Sequence, residues 1–284
     1  NDAHIYCTRD QIEDEFLTVM KLHEYYYKLF GINDYYMRLS LHDPENKDKY
    51  IDQPENWKFT EEVLSKAMKK SGVPYVEAKG EAAFYGPKID FQIKSVIGRE
   101  ESASTNQLDF AATKRFNLVY TDSYGKQQPV FVIHRAPLGT HERFIAFLIE
   151  HYAGKFPLWL APVQIVIIPI ADRHQPAAQS VAEILRNHGL RVEVDDRQES
   201  MQAKIRDATL QKVPYLGIIG DRELKITQFQ PKADQPVAES NKPITQLEKD
   251  KLLLSVRTRE GKDLGQMSLT KFLSNLKIEI DKKL

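Results

Sequence analysis

Two groups of residues in this sequence have types and spacings that could do chemistry. The first is Arg143, in the first turn of a segment that reads as a helix. Thr140 serves as its N-cap, and Phe144, Ile145, Leu148, Ile149 and Tyr152 recur on one face as far as Gly154. A cation there opposes the helix dipole. It makes sense where the free backbone N–H groups receive an anion and the arginine adds charge to them; the competing reading is a solvated surface arginine. The second group is His4-x-x-Cys7 with a distant His134, a spacing compatible with a His2Cys zinc site. Eight scattered histidines dilute that signal, and a buried cysteine is usually inert.

The elements that must position these groups can be read from periodicity. A β-branched and aromatic run, 130–133, forms a strand that ends at His134 and Arg135 and is broken by Pro137, Leu138 and Gly139. Asp2, Ala3 and His4 precede a helix for which Thr8 and Gln11 match a capping box. Phe16, Met20, Tyr27 and Phe30 share its face, and Gly31 stops it. A strand is expected at 35–41, a polar loop at 42–56 and a helix at 60–70. Further strands are expected at 74–78, 89–96, 104–110, 117–121 and 128–133, with a turn at 97–99 and a hairpin at 123–126. Strands joined by tight turns and flanked by helices predict an α+β domain on an antiparallel sheet.

A proline-flanked connector at 156–162 marks the boundary between domains 1–160 and 161–284. Beyond it the order is strand 163–170, helix 175–187, strand 190–194, helix 202–210 and strand 215–219, a βαβαβ pattern with a parallel core. A strand at 252–257 and a closing helix at 268–280 complete an α/β mixed sheet. Residues 224–250, with Pro231, Pro236 and Pro243, read as a long irregular loop.

With 284 residues, two domains are expected. No apolar run approaches the ~18 residues of a membrane span. The start, Asn1-Asp2-Ala3-His4, lacks Met, is no signal sequence, and reads as the middle of a longer chain. One cysteine excludes an internal disulfide and fits a reducing, cytoplasmic setting. Zero net charge confines any nucleic-acid contact to local patches.

The strand ending in His134-Arg135, followed by Ala136-Pro137-Leu138-Gly139-Thr140-His141-Glu142-Arg143-Phe144, resembles motif 3 of the class II aminoacyl-tRNA synthetases, and within them the threonyl family. Asp2-Ala3-His4-Ile5-Tyr6-Cys7 resembles the segment after motif 2, and 80–91 a loop and strand of the threonyl enzymes. The resemblance implies a partial class II catalytic domain, with motif 1 and the motif 2 Arg upstream. It places Arg143 against ATP, with Lys88 and Gln107 beside it as catalytic groups. Asp2, Tyr85, Thr105 and Thr140 would meet substrate. His4 and His134 would bind one zinc per subunit, its third protein ligand a cysteine upstream of this chain and not Cys7. Mg2+ would accompany ATP. Zinc with an open position would separate threonine from nearly isosteric valine, which lacks the hydroxyl ligand. Where many members carry Trp-Gln-Cys-Gly-Thr, this sequence has Glu101-Ser102-Ala103-Ser104-Thr105. The active-site Gln is Ser102, and a water or Glu101 must fill its space.

The second half resembles the anticodon-binding domain of the threonyl, prolyl, histidyl and glycyl enzymes. The matching words include Trp159-Leu160-Ala161-Pro162-Val163-Gln164, Lys204-Ile205-Arg206, Gly220-Asp221-Arg222-Glu223 and Val256-Arg257-Thr258-Arg259-Glu260-Gly261. The resemblance implies base readout by Arg257 and Glu223, with Arg206, Lys212 and Gln198 in support; unpaired bases offer their faces and edges. The implied activity is threonine–tRNA ligation by a homodimer using ATP, L-threonine and tRNA. A non-catalytic tRNA-binding paralogue and a prolyl enzyme are the alternatives. The two histidines beside the Tyr-Gly-Pro-Lys loop favour threonine.

Overall fold

The computed structural model describes residues 1–95, 98–225 and 252–283. The expected end of a strand at Val96, the turn residue Ile97 and the irregular segment 226–250 lie outside them. The chain divides into two compact units, Asn1–His151 and Tyr152–Leu284. The division falls ahead of the proline-flanked connector because Leu158 packs in the second core. Arg191 also donates to the carbonyl oxygens of Trp159 and Ala161.

The first unit is built on a six-stranded sheet. Its strands are β1 (Ala3–Cys7), β2 (Tyr35–Leu41), β3 (Tyr75–Lys79), β4 (Lys88–Lys94), β5 (Glu100–Asp109) and β8 (Phe131–Ala136), in the order β1-β8-β5-β4-β2-β3. β6 (Val119–Thr121) and β7 (Gln127–Pro129) form the expected hairpin. All neighbours in the large sheet run antiparallel except β2 and β3, which are parallel because α2 (Pro54–Ser71) is the crossover between them. One face is core. Phe91 lies against His23 and Tyr27 of α1 (Ile12–Leu29), and Met37, Leu39 and Ile89 are fully buried. Alternation sends the intervening residues to the opposite face. A short α3 (Ala111–Phe116) follows β5, and α4 (His141–His151) follows β8 and packs Phe144 on Phe30.

Several expectations are corrected. The segment beginning at Ala3 is a strand, because each of its residues has a partner in β8. The capping box is half made: the Thr8 N–H donates to Gln11 Oε1 at 2.9 Å, while the Thr8 hydroxyl turns to Asp10. α2 begins at Pro54, inside the expected loop, since Pro54 sits where a missing N–H costs nothing and Trp57 is buried. The strand expected at 128–133 is two, broken at Val130. Ile145 and Ile149 lie on the exposed side of α4, which stops at His151 before the left-handed Ala153 and Gly154. A bulge shifts the β4–β5 register, so that Phe91 faces Ser104 but Gln92 faces Ser102, leaving Ala103 extra.

The second unit has a mixed sheet in the order β10-β9-β11-β12-β13. β9 (Ile165–Pro169), β10 (Val192–Val194) and β11 (Tyr215–Ile219) are parallel, as the βαβαβ pattern requires; β12 (Leu253–Thr258) and β13 (Asp263–Ser268) are antiparallel. β13 escaped the sequence reading because most of it is exposed and shows no apolar alternation. Two cores sandwich the sheet. α5 (Gln175–Asn187) and α8 (Leu269–Asp281) cover Ile165, Ile167, Leu254 and Val256. α6 (Met201–Leu210) covers Val166, Ile168, Leu216 and Ile218. A short α7 (Asp221–Lys225) follows β11.

Candidate functional site

Three rows of register partners cross the sheet face that α1 leaves open. Ser40, Lys88, Gln107, His134 and His4 form one row. Arg38, Asp90, Thr105 and Ala136 form the next, and Tyr36, Gln92 and Ser102 the third, beyond the bulge. Register partners project to the same face, so five strands bring together residues far apart in sequence.

A chain of hydrogen bonds runs along these rows. Lys88 Nζ donates to Asp90 Oδ2 at 2.7 Å, and Arg38 Nη2 reaches the same oxygen at 3.2 Å. Thr105 Oγ1 donates to Asp90 Oδ1 at 2.8 Å, and Gln107 Nε2 donates to Thr105 Oγ1 at 3.1 Å. The Tyr85 hydroxyl donates to Gln107 Oε1. Tyr85 is held by its loop: Leu108 N–H donates to the Pro87 carbonyl and Phe110 N–H to that of Tyr85. Gly86 permits the approach, since a Cβ there would overlap the Leu108 carbonyl oxygen. Burial pushes the Tyr85 hydroxyl upward in pKa, and the charges of Asp109, Asp2 and Asp90 push it the same way. Lys88, Gln107, Thr105 and Tyr85, read from the sequence as site residues, are therefore one network. Its hub, Asp90, went unread, although charged Lys88 and Asp90 alternating with Ile89 and Phe91 signal a polar strand face.

His4 and His134 face each other across β1 and β8, ring centroids 4.6 Å apart and nearly perpendicular. The Tyr85 ring is 5.6 Å from His134. His134 Nε2 lies 3.0 Å from Asp109 Oδ2, whose other oxygen accepts the N–H groups of Ala111 and Ala112 at the start of α3. Asp109 was also missed; it orients the imidazole. Cys7 is three residues beyond His4 on the same strand and projects from the other face, buried, its thiol pushed up to about 11 by burial and then by Glu15 and Asp10. Among the described residues no three His, Cys, Asp or Glu side chains are arranged to hold a metal ion by themselves.

Thr140 caps α4, its Oγ1 accepting the Arg143 N–H at 3.4 Å. Arg143 is exposed and makes no ion pair among the described residues. The turn before it is tied down by Asn1, which donates to the Gly139 carbonyl and accepts from Leu138 N–H. Gly139 has φ +61°, and a Cβ there would come within 2.7 Å of the bulged Ala103 carbonyl oxygen. Asp2 is exposed beside this turn. At the departure from the family pattern, Gln92 Nε2 donates to Ser102 Oγ at 2.7 Å, so a carboxamide from the neighbouring strand occupies the place. Glu101 pairs with Ile93 and projects to the other face, which removes it as a replacement.

In the second unit Leu254 and Val256 enter the core under α5 and α8, so Ser255 and Arg257 project on the α6 side. Arg257 Nη2 is 3.4 Å from Asp263, and Arg206 of α6 pairs with its neighbour Asp207. Lys212 follows α6 with φ +62°, and Gln198 is exposed. Glu223, expected as a base reader, is enclosed in this structure. It is 4% exposed, and its carboxylate accepts from Gly220 N–H, Ser255 Oγ and Gln266 Nε2. Burial raises its pKa, but those donors outweigh burial and leave it lowered. It clamps β12 and β13 to the start of α7.

Residues 1–152 match the family described as tRNA synthetase class II core domain (G, H, P, S and T). The chain belongs to the class II tRNA synthetases. Residues 164–279 of this synthetase chain match the anticodon binding domain family. It is 50% identical over 226 residues to the threonine–tRNA ligase of Oceanobacillus iheyensis, covering 79% of this chain and 35% of that protein. With threonine–tRNA ligase 1 of Bacillus subtilis it shares 50% identity over 224 residues, 78% of this chain and 35% of that one. A crystal structure described as the RNA binding domain of threonyl-tRNA synthetase from Cryptosporidium parvum Iowa II superposes with TM-score 0.82 at 28% identity, over 98% of this chain and 63% of that chain. The synthetase chain thus spans about a third of the curated relatives it matches. The expected two-domain class II architecture stands. Among the described residues no helix is long and apolar enough to cross a membrane.

Proposed function

We propose that this chain is part of a threonine–tRNA ligase, which activates L-threonine with ATP to the adenylate and transfers it to the 3′ end of tRNA(Thr). The observation that carries the amino-acid assignment is the His4–His134 pair, centred 4.6 Å apart beside Tyr85 on the open sheet face. The 50% identity to named threonine–tRNA ligases supports it.

The two imidazoles fit a zinc ion that draws two ligands from this chain and a cysteine from the upstream sequence. Asp109 on one ring nitrogen of His134 frees the other for metal, a usual second partner for a metal-binding histidine. A zinc ion held there would supply a Lewis-acid centre able to take a ligand hydroxyl, which threonine has and valine lacks. The chain's own residues do the rest. Tyr85 and Asp2 take hydrogen bonds from the amino acid. Lys88, pinned to Asp90, and Gln107 set charge and donors along the adenylate. Arg143, at the N-terminus of α4 and free of an ion pair among the described residues, meets the ATP phosphates that Mg2+ accompanies, and stabilisation of phosphate charge is the main catalytic term. In the second unit Arg257 and Arg206 meet unpaired anticodon bases. The family resemblance supports homodimeric assembly and a cytoplasmic setting, and the single, buried Cys7 suits a reducing compartment.

The test is amino-acid-dependent ATP–pyrophosphate exchange with metal analysis on the complete protein. Threonine-dependent exchange with one zinc per subunit is expected. Exchange with proline instead, or none with any amino acid beside intact tRNA binding, replaces this reading with the prolyl or the non-catalytic one.

A further inference from the structure

Asp90 is 2% exposed at the centre of the open-face network. An ionised carboxylate only accepts hydrogen bonds, and one oxygen here already takes both Lys88 and Arg38. Thr105 must therefore spend its single proton on Asp90 Oδ1 and keep lone pairs behind it. A lone pair takes the Nε2–H of Gln107. The orientation of that amide follows, with Oε1 turned to Tyr85, and Oε1 accepts the phenolic proton. Tyr85 is left with lone pairs alone. Each link dictates the next, and the series starts at a group that has no proton to give.

We propose that Asp90 is a positioning residue that sets the hydrogen-bond polarity of the amino-acid pocket, making the Tyr85 oxygen an acceptor for a ligand ammonium or hydroxyl and closing it to ligand acceptors. The proposal rests on the threonine-binding reading above. One further observation points the same way: the carboxylates of Asp109, Asp2 and Asp90 act on Tyr85 through their charge, and the same charge favours a cationic ligand group. An amide at position 90 undoes the order: its N–H donates to Thr105, Thr105 donates onward, Gln107 turns over, and the Tyr85 proton points into the pocket.

A double-mutant cycle tests this in the complete protein, read as the threonine KM in pyrophosphate exchange. Asp90→Asn and Tyr85→Phe are each expected to raise that KM about tenfold, the loss of one hydrogen bond to a charged group. The double variant should be no worse than the poorer single one. Losses that multiply overturn the proposal and make Asp90 a structural residue. Because Asp90→Asn also loosens Lys88, Thr105→Val is run beside it; this variant leaves the Lys88–Asp90 pair intact and should show the same lack of additivity with Tyr85→Phe. Isotope-labelled tyrosine NMR on the unliganded protein separates this inference from the functional reading. A Tyr85 resonance unmoved by Asp90→Asn and Thr105→Val overturns the polarity proposal. Absent threonine-dependent exchange in the parent overturns the functional reading instead.

Discussion

His4 stands directly across the β1–β8 ladder from His134, and the two rings meet edge to face. Strand alternation puts Cys7 on the other side of the same sheet. His134→Ala is therefore expected to lose zinc and threonine activation together, whereas Cys7→Ser keeps both. Metal content by elemental analysis checks each variant, and loss of zinc from Cys7→Ser would restore the cysteine as a ligand.

Asp109 holds His134 from behind. Asp109→Asn should weaken zinc binding about 10- to 100-fold, the usual cost of losing such a partner. Chelator competition measures it. An unchanged affinity would reduce Asp109 to the cap of α3.

Arg143→Ala should cripple adenylate formation and leave tRNA binding intact, because the proposed role of Arg143 is to meet ATP at the start of α4, while the residues proposed to read the anticodon belong to the other unit. Pyrophosphate exchange and filter binding of tRNA separate the two. Normal exchange with weakened tRNA affinity would invalidate the motif 3 assignment.

Arg257→Ala should weaken aminoacylation without altering exchange. One lost stacking or base-edge contact costs about 1–3 kcal/mol. The measurement compares cognate tRNA with an anticodon variant at two salt concentrations. An equal, salt-sensitive loss on both makes Arg257 a backbone contact.

His23 is fully buried against Phe91 with neither ring nitrogen hydrogen-bonded. Burial pushes its pKa down to about 3 from 6.5, and the Arg135 charge adds to this. The unfolded chain takes up a proton near 6.5 that the native state refuses. Its contribution is present above 6.5 and is lost as pH falls toward 3. Urea unfolding at neutral and acidic pH should show His23→Leu losing less stability on acidification than the parent, by on the order of a few kcal/mol. Parallel losses would place the acid sensitivity elsewhere.

The sequence made legible what rests on local pattern. Motif words located the Lys88, Gln107, Tyr85 and His134 set, and apolar periodicity found α1 and the βαβαβ core. What it hid is created by pairing. β1, only five residues long, does not read as a strand until β8 lies beside it. Asp90 becomes a hub only when β2 and β5 bring Arg38 and Thr105 to it. Glu223 read as a base reader in a motif word, yet Ser255 and Gln266 arrive from two later strands to enclose it. Gln92 could not be matched to Ser102 without knowing that a bulge aligns them.

That bulge has an evolutionary consequence. The carbonyl of Ala103 fills the space that any side chain at position 139 would need, and Gly139 also carries a left-handed φ. The two positions therefore form one unit of inheritance. A deletion that straightens β5 removes one of the two reasons for glycine in the turn ahead of Arg143 and leaves the other, the left-handed φ, so a side chain at 139 is accommodated only where the bulge and the turn have both changed.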